Sequence, residues 1–425
     1  MSTSTSDTGE PLPLRRNREY MTWMTGDLLL EAGGGVAAFA FPLVTLYATG
    51  SAEAVGIVGL VEGLGVLGGM LPGGVLADRV DRKRLRLLSA GFGALLQALL
   101  IAILVLGAAS VPLLAVLAFA DRFRAGVLGS ASGAMLKQIV PPAQLPRAFA
   151  INEGRGAAIE LGAGPLGGAL LALHLAAPSL LLVLGQLSAL VSTLLLRGDY
   201  RPRALDAPGT TVRADLREAL RWAVGQQMRL QLLTVGALVN FGLNGVLLTV
   251  GLQLAIVGMA PARIGLLATA LAVSILVGAL IAPRIVEKVP SGAVVLVALG
   301  LLAAAAAAVP FASGLIGYAA LYAVMGIGLA PANAAIQGFL LHITPTAMQG
   351  RVMSLNGLVA LGLMPLMPMA AGWGLAHVGP RTTLLVFAGV CVLALAIAAL
   401  GPHLRRVPAA PLWDAHARAE GLSTS

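Results

Sequence analysis

Apolar runs of twenty or more residues recur along the chain from Met21 to about Gly401, separated by short polar or Gly/Pro-containing breaks. A run of that length crosses the hydrocarbon core of a bilayer as one α-helix of about 20 residues. The breaks predict twelve spans, over residues 21–48, 54–77, 86–108, 111–137, 147–174, 178–197, 229–258, 262–286, 291–312, 314–342, 347–376 and 381–401. The first span follows a polar, Arg-containing segment and exceeds the 7–15 residue core of a cleavable signal, so it reads as an uncleaved helix. The expected fold class is an all-α membrane protein with twelve transmembrane helices in two pseudo-symmetric six-helix bundles.

One long polar stretch, Arg197 to Arg229, separates six spans from six. Within it Leu216, Leu220 and Val224 recur at i, i+4 and i+8 among charges, which predicts an amphipathic interfacial helix over Thr211 to Gly225. The expected division is a tail at 1–20, a bundle at 21–197, a linker at 198–228, a second bundle at 229–403 and a tail at 404–425. The halves match at a shift of 204: Pro141, Arg147 and Asn152 with Pro345, Arg351 and Asn356, Leu136 and Ile139 with Leu340 and Ile343, Gly74 and Leu76 with Gly278 and Leu280, Gly168 with Gly372. Two parallel repeats of six helices are the plan of a secondary transporter whose site lies between them.

Composition narrows the class. Hydrophobic types fill 58% of the chain and charged types 11%, against about 25% charged in soluble domains. A soluble enzyme, a nucleic-acid-binding module and a single-span receptor are excluded. The net charge of +9 matters through its placement, because Lys and Arg accumulate on the cytoplasmic side. The basic residues from Arg15 to Arg18, from Arg79 to Arg86, Lys137, Arg147, the linker arginines, Arg284, Lys288, Arg351, Arg405, Arg406 and Arg418 fall on one side, and only Arg263 and Arg381 on the other. Both termini and the linker are therefore expected in the cytoplasm; the Arg-rich, Lys-poor composition points to a GC-rich bacterium, and the expected location is the bacterial inner membrane. The single cysteine, Cys391, excludes an internal disulfide and reads as a packing residue.

The second span ends in Gly74, Leu76, Ala77, Asp78, Arg79, Asp81, Arg82, Lys83 and Arg84, a small-residue helix end followed by a carboxylate among cations. Here the chain resembles the major facilitator superfamily, whose signature between helices 2 and 3 reads G, x, L, A, D, R, x, G, R, K; Asp81 departs from it. The resemblance implies a cytoplasmic gate in which Gly74, Asp78, Arg79, Arg82 and Lys83 meet the start of the eleventh span near Arg351. In the fourth span Arg122 and Gly126 fit the superfamily's R, x, x, x, G, which implies proton coupling through Arg122. A structural salt bridge from Asp121 or a neighbouring helix to one of the arginines there, Arg122 or Arg124, is the other reading. Gly162 to Gly168 resembles the helix 5 signature of drug/proton antiporters, G, P, x, x, G, G, one residue shorter, with Gly164, Pro165, Gly167 and Gly168 as the helix-packing motif. Val140 to Asn152 and Gly350 to Ser354 are similar to the branch of macrolide-efflux proteins and the enterobactin exporter.

The intramembrane acids all lie in the first half: Asp27, Glu31, Glu62, Asp121, Glu153 and Glu160. Asp27 and Glu31 share a face at i, i+4, and two like charges in low dielectric compete for a proton. The proton-coupling set expected is Asp27, Glu31, Arg122 and Glu160, with Arg122 pairing one of the first two. Asp27 also reads as solvated near the end of its helix, Glu62 as an interhelical hydrogen bond, and Glu153 with Arg155 as interfacial. Candidates for the substrate cavity are Glu62, Arg124, Asn240, Asn244, Asn333, Gln337, Tyr318 and Tyr322, and amides with aromatics suit an uncharged or cationic amphipathic cargo.

The expected function is proton-coupled export of a hydrophobic or amphipathic small molecule by alternating access. The alternatives are import of a small nutrient and, more distantly, a membrane-embedded enzyme or a lipid flippase. The five histidines are scattered and the Gly-rich runs lack the Lys and Ser of a phosphate loop, so no catalytic residue, metal or cofactor is expected. The partners expected are a small-molecule substrate, protons and the lipid bilayer, with no nucleic acid, and the chain is expected to be a monomer.

Overall fold

The computed structural model describes residues 13–129, 131–201, 221, 227–344, 349, 352, 357, 359 and 362–419, apart from the side chains at 71, 74, 75, 77, 78, 131, 134 and 402. The described residues form helices and connecting turns with no strand among them. The chain divides into two compact units, Met1–Gly209 with Ala260–Gly265, and Thr210–Met259 with Leu266–Ser425.

The first unit holds α1 (Arg18–Thr49), α2 (Ala52–Arg79), α3 (Arg82–Val105), α4 (Val111–Leu128), α5 (Ala131–Ile139), α6 (Leu145–Leu173) and α7 (Ala177–Leu195). Local chemistry sets the ends. Asn17 caps α1 by accepting from Tyr20 N at 3.1 Å, and the helix stops at Gly50 in the left-handed region, φ 67°. Ser51 then caps α2 by accepting from Ala54 N at 3.2 Å. With so short a turn, α2 must run back across the membrane.

Small residues set the helix contacts, as membrane packing requires where the hydrophobic effect gives little drive. Gly26 and Gly33 on α1 and Gly185 on α7 remove the side chains between these helices; a Cβ at Gly33 would lie 2.8 Å from Leu182 Cα. On α2, Gly65, Gly69 and Gly73 form a seam at i, i+4 and i+8 against α4, where a Cβ at Gly69 would lie 2.6 Å from Phe123 O. The outer faces are apolar: Leu88, Phe92, Leu95 and Leu99 form an exposed stripe on α3, suited to lipid.

The second unit holds α8 (Gln227–Ile256), α9 (Pro261–Lys288, whose first turn groups with the first unit), α10 (Ser291–Ala308), α11 (Gly314–Ile327), α12 (Leu329–His342), α13 (Leu366–His377), α14 (Pro380–Leu400), α15 (Pro402–Arg405) and α16 (Trp413–Ala419). Its α8 packs on α14 through Gly242 and Gly245 against Phe387 and Cys391; the cysteine is buried in this contact. The α1–α7 pair of the first unit thus recurs as α8–α14.

Among the described residues ten helical stretches are long and apolar enough to cross a membrane. Within the expected span 111–137 the described residues give α4 up to Leu128 and α5 from Ala131, and α4 carries Asp121, Arg122 and Arg124 within 18 residues. The expected span 314–342 is one crossing-length stretch in which Gly328 separates α11 from α12. A Cβ on Gly328 would lie 2.7 Å from that of Ala298, so close packing on α10 favours glycine, and glycine weakens a helix. Most of the first half of the eleventh span, 347–361, falls outside the described residues, as do most of the amphipathic helix expected at Thr211 to Gly225, Arg351 and the side chain of Asp78; α13 is the second half of that span.

Candidate functional site: two ion-pair networks in the first unit

Among the described residues, the ion pairs of the first unit form two groups. In the first, Asp27 on α1 is buried and serves as a hub. Its Oδ1 accepts from Ser132 Oγ at 2.8 Å and lies 3.4 Å from Arg86 Nη2, while its Oδ2 accepts from Arg155 Nη2 at 2.9 Å. The same Arg155 nitrogen lies 2.8 Å from Glu31 Oε1. Arg86 Nη1 and Trp23 Nε1 both donate to Ser132 Oγ, at 2.8 and 3.2 Å, and both guanidinium groups stand 5.7 Å from the Trp23 ring centre. One carboxylate therefore ties α1 to α3, α5 and α6. Asp27 is not solvated at a helix end: its side chain is 8% exposed, against 43% for Glu31.

The second group lies on the seam between α2 and α4. Arg122 Nε donates to Glu62 Oε1 at 2.6 Å. The glycines below Glu62 bring the two helices close enough for this bond. Beside it, Arg124 donates to Asp121 Oδ1 from Nη2 at 2.9 Å and to Ser89 O and Oγ from Nη1 at 2.7 and 2.8 Å. Gln97 Nε2 reaches Asp121 Oδ2 at 3.5 Å. Glu62, Asp121, Arg122, Gln97 and Ser179 line one side of a cavity of about 50 Å³ whose other walls, from Phe41, Leu100, Leu117 and Leu182, are apolar. A water needs roughly 10–15 Å³ of such volume and several polar partners. The cavity is sized for a few waters in contact with both carboxylates.

Two pairings differ from the sequence expectation. Arg122 pairs with Glu62 on a neighbouring helix, the alternative salt-bridge reading, and not with Asp27 or Glu31, because α4 lies along the glycine seam of α2 and not along α1. Arg155, read as interfacial, is the partner of both α1 acids, and Arg86, counted among the loop cations, is buried beside them. The signal available in the sequence was the unpaired i, i+4 acid face of α1, which calls for a buried cation. Glu153 and Glu160 are exposed on α6, apart from both groups.

In the second unit the candidates do not converge. Asn240 Nδ2 donates to Gly236 O at 2.9 Å and Asn244 Nδ2 to Asn240 O at 2.8 Å, both within their own helix. Tyr318 and Tyr322 are buried in the unit, with Tyr322 Oη at 3.4 Å from Leu247 O. Asn333 is exposed and Gln337 half-buried on α12.

Against this geometry the comparisons with known proteins can be set. The Major Facilitator Superfamily profile matches residues 26–358 and 232–423. The chain belongs to the major facilitator superfamily. It is a secondary transporter that works by alternating access, and not an enzyme. No protein of curated function matches it. Among solved structures it is similar to a bacterial homologue of the iron transporter ferroportin in an inward-facing state, with 20% identity, a TM-score of 0.70 and coverage of 92% of this chain and 99% of the other. The nucleoside transporter NupG is similar at 12% identity and a TM-score of 0.68, covering 90% and 98%. A D-xylose-proton symporter is similar at 15% and 0.64, covering 91% and 97%. These likenesses establish the fold, and the cargoes in those names are too diverse to carry over.

In this superfamily member the signature after α2 has a local explanation for its departure. Asp81, standing where the signature has glycine, has φ −54° and ψ 116°, a backbone open to any residue. Its carboxylate caps α3 by accepting from Lys83 N at 2.9 Å. Lys83 Nζ donates to Leu196 O at 2.5 Å, and the Arg82 backbone N–H to Tyr200 O at 3.3 Å, so the Lys83 side chain and the first turn of α3 fasten it to the segment that follows α7. Arg79 is exposed and Arg82 buried. Tyr200 itself is buried and donates to Glu19 Oε2 at 3.1 Å; burial, helped by the Glu19 charge, pushes its phenol pKa up. The packing motif on α6 meets the first turn of α9: a Cβ on Gly168 would lie 2.7 Å from Ala262 Cα, and one on Gly167 2.7 Å from the Phe39 ring.

Proposed function

We propose that this transporter exports a hydrophobic or amphipathic small molecule in exchange for protons, with Glu62 as the proton carrier and Arg122 as its counter-ion. The observation that carries the reading is the 2.6 Å Glu62–Arg122 pair on the wall of a water-sized cavity. An ion pair at membrane depth is expensive and marks a functional site. Protonation of Glu62 removes its charge and leaves Arg122 held only by Asp121, so the contact between α2 and α4 weakens by a charge-assisted bond. Asp27 is less suited to the role, since Ser132 and Arg155 donate to it and Arg86 stands 3.4 Å away, so that it ties three helices to α1.

The cargo class rests on the second unit. The charges described on α8 to α14 are Arg229, Arg263, Arg284, Glu287, Lys288 and Arg381, all within the terminal turns, which leaves apolar, aromatic and amide groups for recognition. Export rests on the resemblance of Gly164, Pro165, Gly167 and Gly168 to the antiporter signature.

The test uses purified protein in liposomes with an imposed pH gradient and a panel of amphipathic amines, neutral lipophiles, sugars and nucleosides. Cargo entering the acidic compartment as protons leave supports the proposal. Cargo moving with protons, or only sugars and nucleosides moving, overturns it.

A further inference from the structure

Residues 402–419, after α14, are not a loose polar tail. They fold back over the ends of α10 and α12 within the second unit. Ser291 N donates to Pro408 O at 3.2 Å and Gly292 N to Val407 O at 3.1 Å, so the returning chain supplies acceptors to the first turn of α10, whose N–H groups have none inside the helix. Gly292 has no side chain where the carbonyls of Leu404 and Arg405 approach. Leu404, Val407 and Ala417, each 2–3% exposed, join the core that contains Met228, Leu232 and Phe339.

Trp413 is the anchor. Its indole lies over Gly338, where a Cβ would be 2.9 Å from the ring, and edge-on to Phe339 with centroids 5.7 Å apart. Its Nε1 donates to Ser291 Oγ at 3.2 Å and to Pro408 O at 3.1 Å. Next to it, Asp414 Oδ1 lies 3.0 Å from Nε2 of His342, the last residue of α12. The other titratable groups here are His416, against Phe339 at 6.1 Å, and Arg418, whose Nε donates to the Asp414 carbonyl at 3.2 Å. From α10 the strap meets the neutral Ser291.

We propose that residues 402–419 are a strap pinning the ends of α10 and α12, anchored by Trp413 and latched by the His342–Asp414 pair, so that its hold tightens on acidification. An imidazole changes charge between about pH 5 and 8. Charged, His342 makes an ion pair with Asp414; neutral, it keeps at most an ordinary hydrogen bond. Because the pair is partly exposed, the effect is a few-fold change in how often the strap lifts. Lifting frees the end of α12, and so a strap responsive to pH would tie a helix of the second unit to the proton concentration on the side where the C-terminus lies.

The strap is tested in the full-length protein in membranes with Ala417→Cys and N-ethylmaleimide. The native Cys391 is fully buried and contributes little background. Because thiolate reactivity itself rises with pH, each rate is normalised to that of Leu412→Cys, an exposed strap position, at the same pH. The expected results are labelling of Ala417→Cys well below Leu412→Cys, a normalised rise of about two- to five-fold from pH 6 to pH 8, near-equal rates when Trp413→Ala is added, and loss of the pH step with Asp414→Asn but not with His416→Gln. Equal labelling of the two cysteines in the otherwise unchanged protein would overturn the strap. A pH step that is missing from it, or that survives Asp414→Asn, would overturn the latch.

Discussion

At the scale of single residues, Asp27 and Glu62 show how one side-chain type takes two roles through its partners. Asp27 is enclosed by Ser132, Arg86 and Arg155, and neutralising it leaves two buried guanidinium groups near Trp23 without the carboxylate they share. Breaking a buried pair by removing one partner destabilises by about 3–5 kcal/mol. Asp27→Asn is therefore expected to lower the thermal unfolding temperature in detergent markedly, and Glu31→Gln to change it little, because Glu31 is far more exposed and Arg155 keeps Asp27. An Asp27→Asn melting curve that superposes on the unaltered protein's would remove the hub role. Tyr200 gives a pH signature of a different kind. Its phenol titrates higher folded than unfolded because of burial and Glu19, so the stabilisation is complete below the unfolded value near 10 and is lost as pH rises above it. Stability measured across alkaline pH is expected to fall above about pH 10, and less steeply in Tyr200→Phe.

At the scale of helices, the glycine seam of α2 decides where Arg122 can reach. Gly69→Val would drive a side chain into the α4 backbone at Phe123 and Gly126 and push α4 off, so the Glu62–Arg122 bond lengthens. We expect transport to fall at least tenfold in Gly69→Val at near-normal expression, while Gly68→Ala, whose Cβ would sit 3.6 Å from the Phe123 ring, retains most activity; vesicle uptake rates check both. The spans were legible in the sequence because a helix crossing lipid must show twenty apolar residues. The partners of its charges were not. Glu62 and Arg122 are 60 residues apart, and which helices touch depends on a spacing of glycines that composition rich in glycine conceals. The irregular residue in the tenth span, Gly328, was hidden for a related reason, since glycine is common within transmembrane helices and an apolar run continues through it. The strap was missed because Leu404, Val407, Trp413 and Ala417 follow no single helical period.

At the scale of the whole chain, the two units repeat a helix plan but not its charges. Shifting by 204 residues carries Asp27, Glu31, Glu62, Asp121 and Arg122 onto Gln231, Val235, Leu266, Met325 and Gly326. If one copy carries the coupling groups and the other an uncharged wall, coupling and translocation are separable: the helix plan does not need the charges, and proton drive does. Glu62→Gln alone strands Arg122 without its closest counter-ion and confounds lost coupling with lost stability. The double variant, Glu62→Gln with Arg122→Gln, removes both charges and can keep a hydrogen bond across the seam. One pH unit is worth about 1.4 kcal/mol per proton, so a one-for-one exchanger accumulates cargo up to about tenfold per unit of gradient. In liposomes the unaltered protein is expected to approach that ratio and the double variant to settle near one, while cargo-for-cargo exchange without a gradient stays within a few-fold of normal. Retained accumulation in the double variant would move the proton to another carboxylate, and loss of exchange as well would make the pair structural.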